Sequence, residues 1–113
     1  MDWNTADNEC SKNSAHLASI YSDAETEFVS ELLDPKEEHE TWIGAQREGQ
    51  EFKWKDGSNF SYRNWNDGEP NHRDQIENCI ELYSFKLLWN TTPLKWNDVA
   101  CYDKNNYLCK KTN

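Results

Sequence analysis

The chain is poor in several features, and each shortage excludes a class of function. Only 4 of its 113 residues are glycine, too few for glycine-rich loops that wrap backbone amides around a phosphate. There is no nucleophile elbow and no metalloprotease helix motif. His16, His39 and His72 become catalytic candidates only if Ser or Asp partners surround them. His16 is most simply a packed residue of an apolar strand, and His72 either flanks a binding loop or is solvated. An enzyme is therefore not expected. Positive charge is scarce: 12 basic against 21 acidic residues leave a formal net charge of −9. No basic cluster exists to neutralise phosphates, which argues against nucleic acid or an anionic membrane as a general partner. No apolar run approaches the length of a membrane span. No leader peptide is visible either, since Met1 is followed by polar Asp2, Asn4 and Thr5.

No internal repeat, low-complexity tract or Pro/Gly-rich linker divides the chain, so residues 1–113 are expected to form one continuous domain. A chain of this length buries a modest core and is expected to need staples. The 4 cysteines are even in number and suit an oxidised, extracellular protein. Sequence alone allows three pairings. Zinc is the rival use of these cysteines, but the Cys-x2-Cys spacing of zinc sites is absent.

Trp3, Ala6 and Cys10 recur at helical spacing. Ser22 and Glu25 form a capping box ahead of Phe28, Val29, Leu32 and Leu33, a second helical stripe that Asp34-Pro35 should stop. Strands are expected at Thr41 to Ala45, Phe52 to Trp54, Asn78 to Tyr83 and Asn106 to Cys109. Helices first and strands later argue for an α+β domain. Glu25, Glu27, Glu31, Glu37, Glu38 and Glu40 are most simply solvated surface. Asn66-Asp67-Gly68 signals a turn. Of the 6 tryptophans, Trp42, Trp54, Trp65 and Trp96 are expected in the core. Trp89 lies in Ser84–Asn90, which fits either an extra hairpin or an exposed apolar patch. Asn59-Phe60-Ser61 and Asn90-Thr91-Thr92 fit the N-glycosylation pattern.

The turn at Gly68 leads into the segment with the most chemistry. Glu69-Pro70-Asn71, then Glu77 before Cys79, then Trp96-Asn97-Asp98 place oxygen-bearing side chains in two short segments, both expected to be loops. Calcium takes roughly 6–8 hard oxygen ligands in flexible geometry. Glu69, Glu77 and Asp98 offer negative charge, Asn71 and Asn97 neutral carbonyls. A carboxylate also accepts from a sugar hydroxyl while an amide donates to it, so a Glu/Asn pair satisfies one hydroxyl in both directions. Taken alone, Glu-Pro-Asn is an ordinary turn and Trp-Asn-Asp a core tryptophan with a polar follower. Their conjunction, in this order and beside these cysteines, points to a calcium-dependent carbohydrate site.

With Trp3, Ala6 and Cys10, Ala15–Ile20, Glu25, Phe28-Val29, Trp42–Ala45, Trp54–Gly57, Trp65, Cys101 and Cys109, these motifs make the sequence resemble the C-type lectin-like domain from Trp3 to Cys109. The resemblance implies two helices, short antiparallel strands and long calcium-binding loops. It implies the disulfides Cys10–Cys109 and Cys79–Cys101 and a cis bond before Pro70. It implies calcium held by Glu69, Asn71, Glu77, Asn97 and Asp98, with Glu69, Asn71, Glu77 and Asn97 also contacting sugar. The Glu-Pro-Asn order is similar to that of sites choosing mannose, glucose, fucose or N-acetylglucosamine; the galactose-type Gln-Pro-Asp is absent. Expected partners are therefore glycans on cell surfaces or glycoproteins, with avidity from oligomers. Members that bind a protein or ice instead of sugar are the alternative, since fold alone fixes no ligand.

Two departures from the family pattern matter. The strand that ordinarily precedes the first helix is missing, so the natural start is expected upstream, Met1 is set aside, and Tyr107-Leu108 should have a less protected edge. At positions expected to serve an accessory calcium stand His72 and Asn78, and Ala45-Gln46-Arg47-Glu48 offers Arg47 and no Asp. One calcium is expected, at the sugar site.

Overall fold

The computed structural model describes residues 1–33, 40–82 and 94–111. Helix α1 spans Trp3–Ser11 because Asp2 caps it, its carboxylate accepting from the Thr5 amide at 2.8 Å. Trp3, Ala6 and Cys10 share its buried face, and the Trp3 indole N–H donates to the Ile43 carbonyl at 2.9 Å. Asp7 is buried as well, its carboxylate accepting from the Leu17 amide at 3.1 Å. That bond ties α1 to the short strand β1, His16–Leu17.

Helix α2, Asp23–Leu32, opens on Ser22, whose hydroxyl accepts from the Glu25 amide at 3.2 Å. Glu25 reaches back one residue beyond the usual capping box, to the Tyr21 amide at 2.6 Å. The expected four-residue stripe divides. Val29 is buried and Leu33 packs on the core margin, whereas Phe28 and Leu32 are 61% and 57% exposed. Residues four apart share a line along a helix, and α2 docks through the Val29/Leu33 line, turning Phe28/Leu32 outward. The helix ends ahead of Asp34-Pro35, which lies outside the described residues.

The main sheet has the order β3-β2-β4-β5. Its strands are β2 (Thr41–Glu48), β3 (Glu51–Trp54), β4 (Cys79–Leu82) and β5 (Trp96–Val99). A further strand, β6 (Asn106–Tyr107), pairs in parallel with the start of β2. The expected C-terminal strand is two pieces: β7, Cys109–Lys110, pairs instead with β1. Leu108 is the crossing point, donating its amide to Trp42 and accepting at its carbonyl from Ala18. Gly44 permits this junction, because a Cβ there would overlap the Leu17 carbonyl. Met1 is part of the structure rather than a dispensable start. Its carbonyl accepts from the Trp42 indole at 2.9 Å and from the Asn105 amide at 3.0 Å.

Two apolar clusters flank the sheet. One gathers Trp3, Ala6, Cys10, Leu17, Trp42 and Val99 beside the disulfide Cys10–Cys109. The other centres on Trp96, whose ring meets Trp54, Phe60, Tyr62 and Trp65 at centroid distances of 5.6, 5.7, 5.8 and 5.6 Å, three of them edge-on, an arrangement that favours aromatic pairs. Trp65 is only partly buried there. The second disulfide, Cys79–Cys101, fastens the start of β4 to the residue-100 turn after β5. Both pairings are those the resemblance implies. The Trp89 segment and Asn90-Thr91-Thr92 lie outside the described residues, as does His39; Asn59 is exposed.

Candidate functional site

The loop carrying Glu69 and Asn71 hangs on the beginning of β5. Trp96 donates its amide to Asn64 and accepts at its carbonyl from Asn66, both at 2.8 Å. Asn66 then closes the expected turn, its carbonyl accepting from the Glu69 amide at 3.0 Å while Gly68 takes φ +83°, a conformation open to glycine. The Glu69-Pro70 bond is cis. Immediately beyond it, the Asn71 and His72 amides donate to the two oxygens of Asp98 at 3.1 and 2.8 Å. The following turn brings in Glu77, which accepts from the Arg73 amide at 3.0 Å. His72, Asp74 and Gln75 adopt left-handed backbone conformations in this turn, which costs a non-glycine residue about 1 kcal/mol each.

Trp96-Asn97-Asp98 is not a loop, as the sequence suggested, but strand β5. It pairs with β4 in the register Leu82↔Trp96, Glu81↔Asn97 and Ile80↔Asp98. Short polar residues mask this strand in the sequence, because partnering from β4 rather than propensity makes it. Strand alternation then places Trp96 and Asp98 on one face and Asn97 on the other. Glu69, Asn71, Glu77 and Asp98 are therefore brought together, whereas Asn97 is not. Its side-chain amide donates to Glu81 at 3.0 Å.

Glu81, the residue that holds Asn97, is not among the residues the sequence singled out. It is buried and also accepts from the Asn105 side chain at 3.0 Å. Burial pushes its carboxyl up to about 7 despite these two donors. A charged residue between Ile80 and Leu82 in an apolar strand was the available signal; nothing in the sequence marked Asn105.

Electrostatically the cluster is unfinished. Burial, with the adjacent Asp98 and Glu77 carboxylates, pushes Glu69 up to about 7. Among the described residues no donor reaches the buried Glu69 Oε1. Asp98 is fully buried and pairs with the Arg47 guanidinium at 3.3 Å. Among the described residues no three carboxylate, imidazole or thiol groups converge tightly enough to enclose a metal. The donor chemistry nevertheless fits a hard cation: crowded carboxylates, an unsatisfied buried oxygen and the Asn71 carbonyl. His16 lies on β1, away from Glu69, Asn71, Glu77 and Asp98 in the fold, with its Nδ1 3.7 Å from Asp7 Oδ1.

The Lectin C-type domain profile matches residues 1–111. The chain belongs to the C-type lectin domain family. It is 36% identical to the galactose-specific lectin nattectin of Thalassophryne nattereri, over 98% of this chain and 68% of that protein. It is also 36% identical to a C-type lectin mannose-binding isoform of Notechis scutatus scutatus, over 96% of this chain and 70% of that one. Equal likeness to proteins named for different sugars means that overall similarity does not choose the sugar. Among solved structures, the EPNH mutant of CEL-I, a C-type lectin of Cucumaria echinata, superposes with a TM-score of 0.85 at 27% identity, over 96% of this chain and 81% of that one. The segment for which that mutant is named has the order of Glu69-Pro70-Asn71-His72 in this C-type lectin domain. Both sequence relatives are named as lectins. No helix of the described residues is long and apolar enough to cross a membrane, and the two disulfides suit an extracellular setting.

Proposed function

We propose that residues 1–113 form one carbohydrate-recognition domain that binds glycans in a calcium-dependent manner, selecting the mannose, glucose, fucose or N-acetylglucosamine class. The observation that carries this reading is the gathering of Glu69, Asn71, Glu77 and Asp98, with Glu69 pushed up to about 7 beside Asp98 and Glu77. A bound calcium would supply charge neutralisation and open coordination positions for vicinal hydroxyls. The chain's own residues do the selecting. Glu69 accepts from a hydroxyl and Asn71 donates to it; Glu77 and Asn97 form the second such pair. Asn97, whose side-chain amide is held by Glu81 on the other face of β5, would have to leave that bond to take this role. The Cys79–Cys101 bridge and the bonds from Trp96 to Asn64 and Asn66 hold both loops to β5, so ordering is largely complete before ligand arrives.

A shallow polar site of this kind binds one monosaccharide weakly, and useful strength comes from several domains engaging together. The domain would act outside the cell, on cell-surface or glycoprotein glycans, with Asn59 open to glycosylation. The alternative, a protein- or ice-binding module, is favoured by one observation: the Arg47 guanidinium already supplies Asp98 with a cationic partner.

A glycan array run in calcium and in EDTA tests the reading. Binding to mannose-class glycans should appear in calcium and vanish in EDTA. The double substitution Glu69→Gln with Asn71→Asp keeps one carboxylate and one amide but reverses acceptor and donor. A charged hydrogen bond is worth about 1.5–3 kcal/mol, so mannose preference should fall at least about tenfold. Galactose preference in the wild type, or mannose binding that survives the swap or EDTA, overturns it.

A further inference from the structure

Arg47 stands on β2, with its side chain directed under the loop of the proposed site. Its Nη2 lies 3.3 Å from Asp98 Oδ2 and 3.4 Å from the Glu77 carbonyl. Its guanidinium carbon lies 4.3 Å from the centre of the Phe52 ring, within cation–π range. The Asp98 side chain is 0% exposed and that of Arg47 12%. A buried carboxylate is costly unless paired and hydrogen-bonded, and Asp98 has both: two backbone amides and one guanidinium. No other Lys or Arg among the described residues forms an ion pair with Glu69, Glu77 or Asp98.

We infer that Arg47 is a resident counter-ion of the site, holding Asp98 when calcium is absent and competing with calcium for that carboxylate. The inference rests on the calcium reading above and concerns what happens before the metal arrives. A guanidinium and a dication close to one carboxylate repel each other, so loading draws Asp98 away from Arg47. Asp98 Oδ2, the oxygen facing Arg47, is also the acceptor of the His72 amide. The exchange therefore acts on the same oxygen that anchors the loop. Two consequences follow. The calcium-free domain keeps its loop anchored to β5, and calcium affinity is set lower than the carboxylates alone would give. Glycan would then be held at high calcium and released when calcium falls, without unfolding.

The test compares wild type with Arg47→Met, which keeps the unbranched stem over Phe52 but removes the charge. Arg47→Lys serves as a charged control without the planar fork. The expected result for Arg47→Met is a lower melting temperature in EDTA together with calcium binding about tenfold tighter by calorimetry. Arg47→Lys should fall between it and wild type in both. Should Arg47→Met not fold, the wild-type chain still answers by NMR: the Arg47 Nε–H resonance should move in step with calcium saturation. Calcium binding that is equal or weaker in Arg47→Met, or an Arg47 resonance indifferent to bound calcium, overturns the competition while leaving the proposed function standing. Absence of calcium binding in wild type, Arg47→Met and Arg47→Lys overturns both.

Discussion

Trp96 and Asp98 are two residues apart on one face of one strand, and neither side chain is exposed. They are held in opposite ways. Trp96 is surrounded by Trp54, Phe60, Tyr62 and Trp65, so burial itself stabilises it, and the surface removed from water is large. Asp98 is buried at a cost and is tolerated because the Asn71 and His72 amides and Arg47 meet it. The aromatic end of β5 is therefore the foundation and the acidic end is the load. A site that crowds carboxylates can exist in so small a domain because the rigid end of the same strand holds its register. The disulfide Cys79–Cys101 closes the other side.

The contrast can be broken at either end, and the effects should differ in size and kind. Trp96→Ala removes the ring on which four aromatic partners rest and should destabilise the domain by about 3–5 kcal/mol, measured by urea unfolding with and without calcium. If the loss is below about 1 kcal/mol, Trp96 is not the foundation. Asp98→Asn keeps the size but leaves the Arg47 charge without its partner, and should cost about 2 kcal/mol in EDTA. It should also remove calcium stabilisation altogether, which Trp96→Ala, where folded, should not do.

The smallest effect is the most specific. The folded Glu69 carboxyl is raised to about 7 from an ordinary 4.5. Between those values the calcium-free folded state binds more protons than the unfolded state. Stability should therefore fall as pH rises through roughly 4.5 to 7, with the penalty complete above about 7. Glu69→Gln abolishes that titration and should stabilise the calcium-free protein at pH 8 by about 1 kcal/mol, water screening much of the repulsion. A residual slope of the same sign remains from Glu81, also raised to about 7. Identical pH profiles for wild type and Glu69→Gln would remove Glu69 from the repulsive cluster.

Local signals made much of this legible in the sequence. The spacing of Trp3, Ala6 and Cys10 placed α1, Ser22 with Glu25 placed the start of α2, and Asn66-Asp67-Gly68 placed the turn into Glu69. What sequence did not reveal depends on pairing between distant segments. β5 is a strand because β4 lies beside it, not because Trp-Asn-Asp favours extension. Its alternation sends Asn97 to Glu81 instead of to Asp98. Arg47 could be read as unsuited to an accessory calcium, but its approach to Asp98 spans 51 residues of sequence and follows only from the β2–β4–β5 order. Phe28 and Leu32 matched the helical stripe, yet periodicity cannot say which of two neighbouring lines docks.

The melting temperature in EDTA against millimolar calcium tests the central claim most directly. If the acidic end of β5 and the Glu69 loop await a cation, calcium should raise the melting temperature saturably. At a concentration about a hundredfold above Kd the gain is about 2.7 kcal/mol, roughly 10 °C for a domain of this size. Magnesium should substitute poorly, since it demands a tighter octahedral cage. A melting temperature unchanged between EDTA and millimolar calcium would contradict the account.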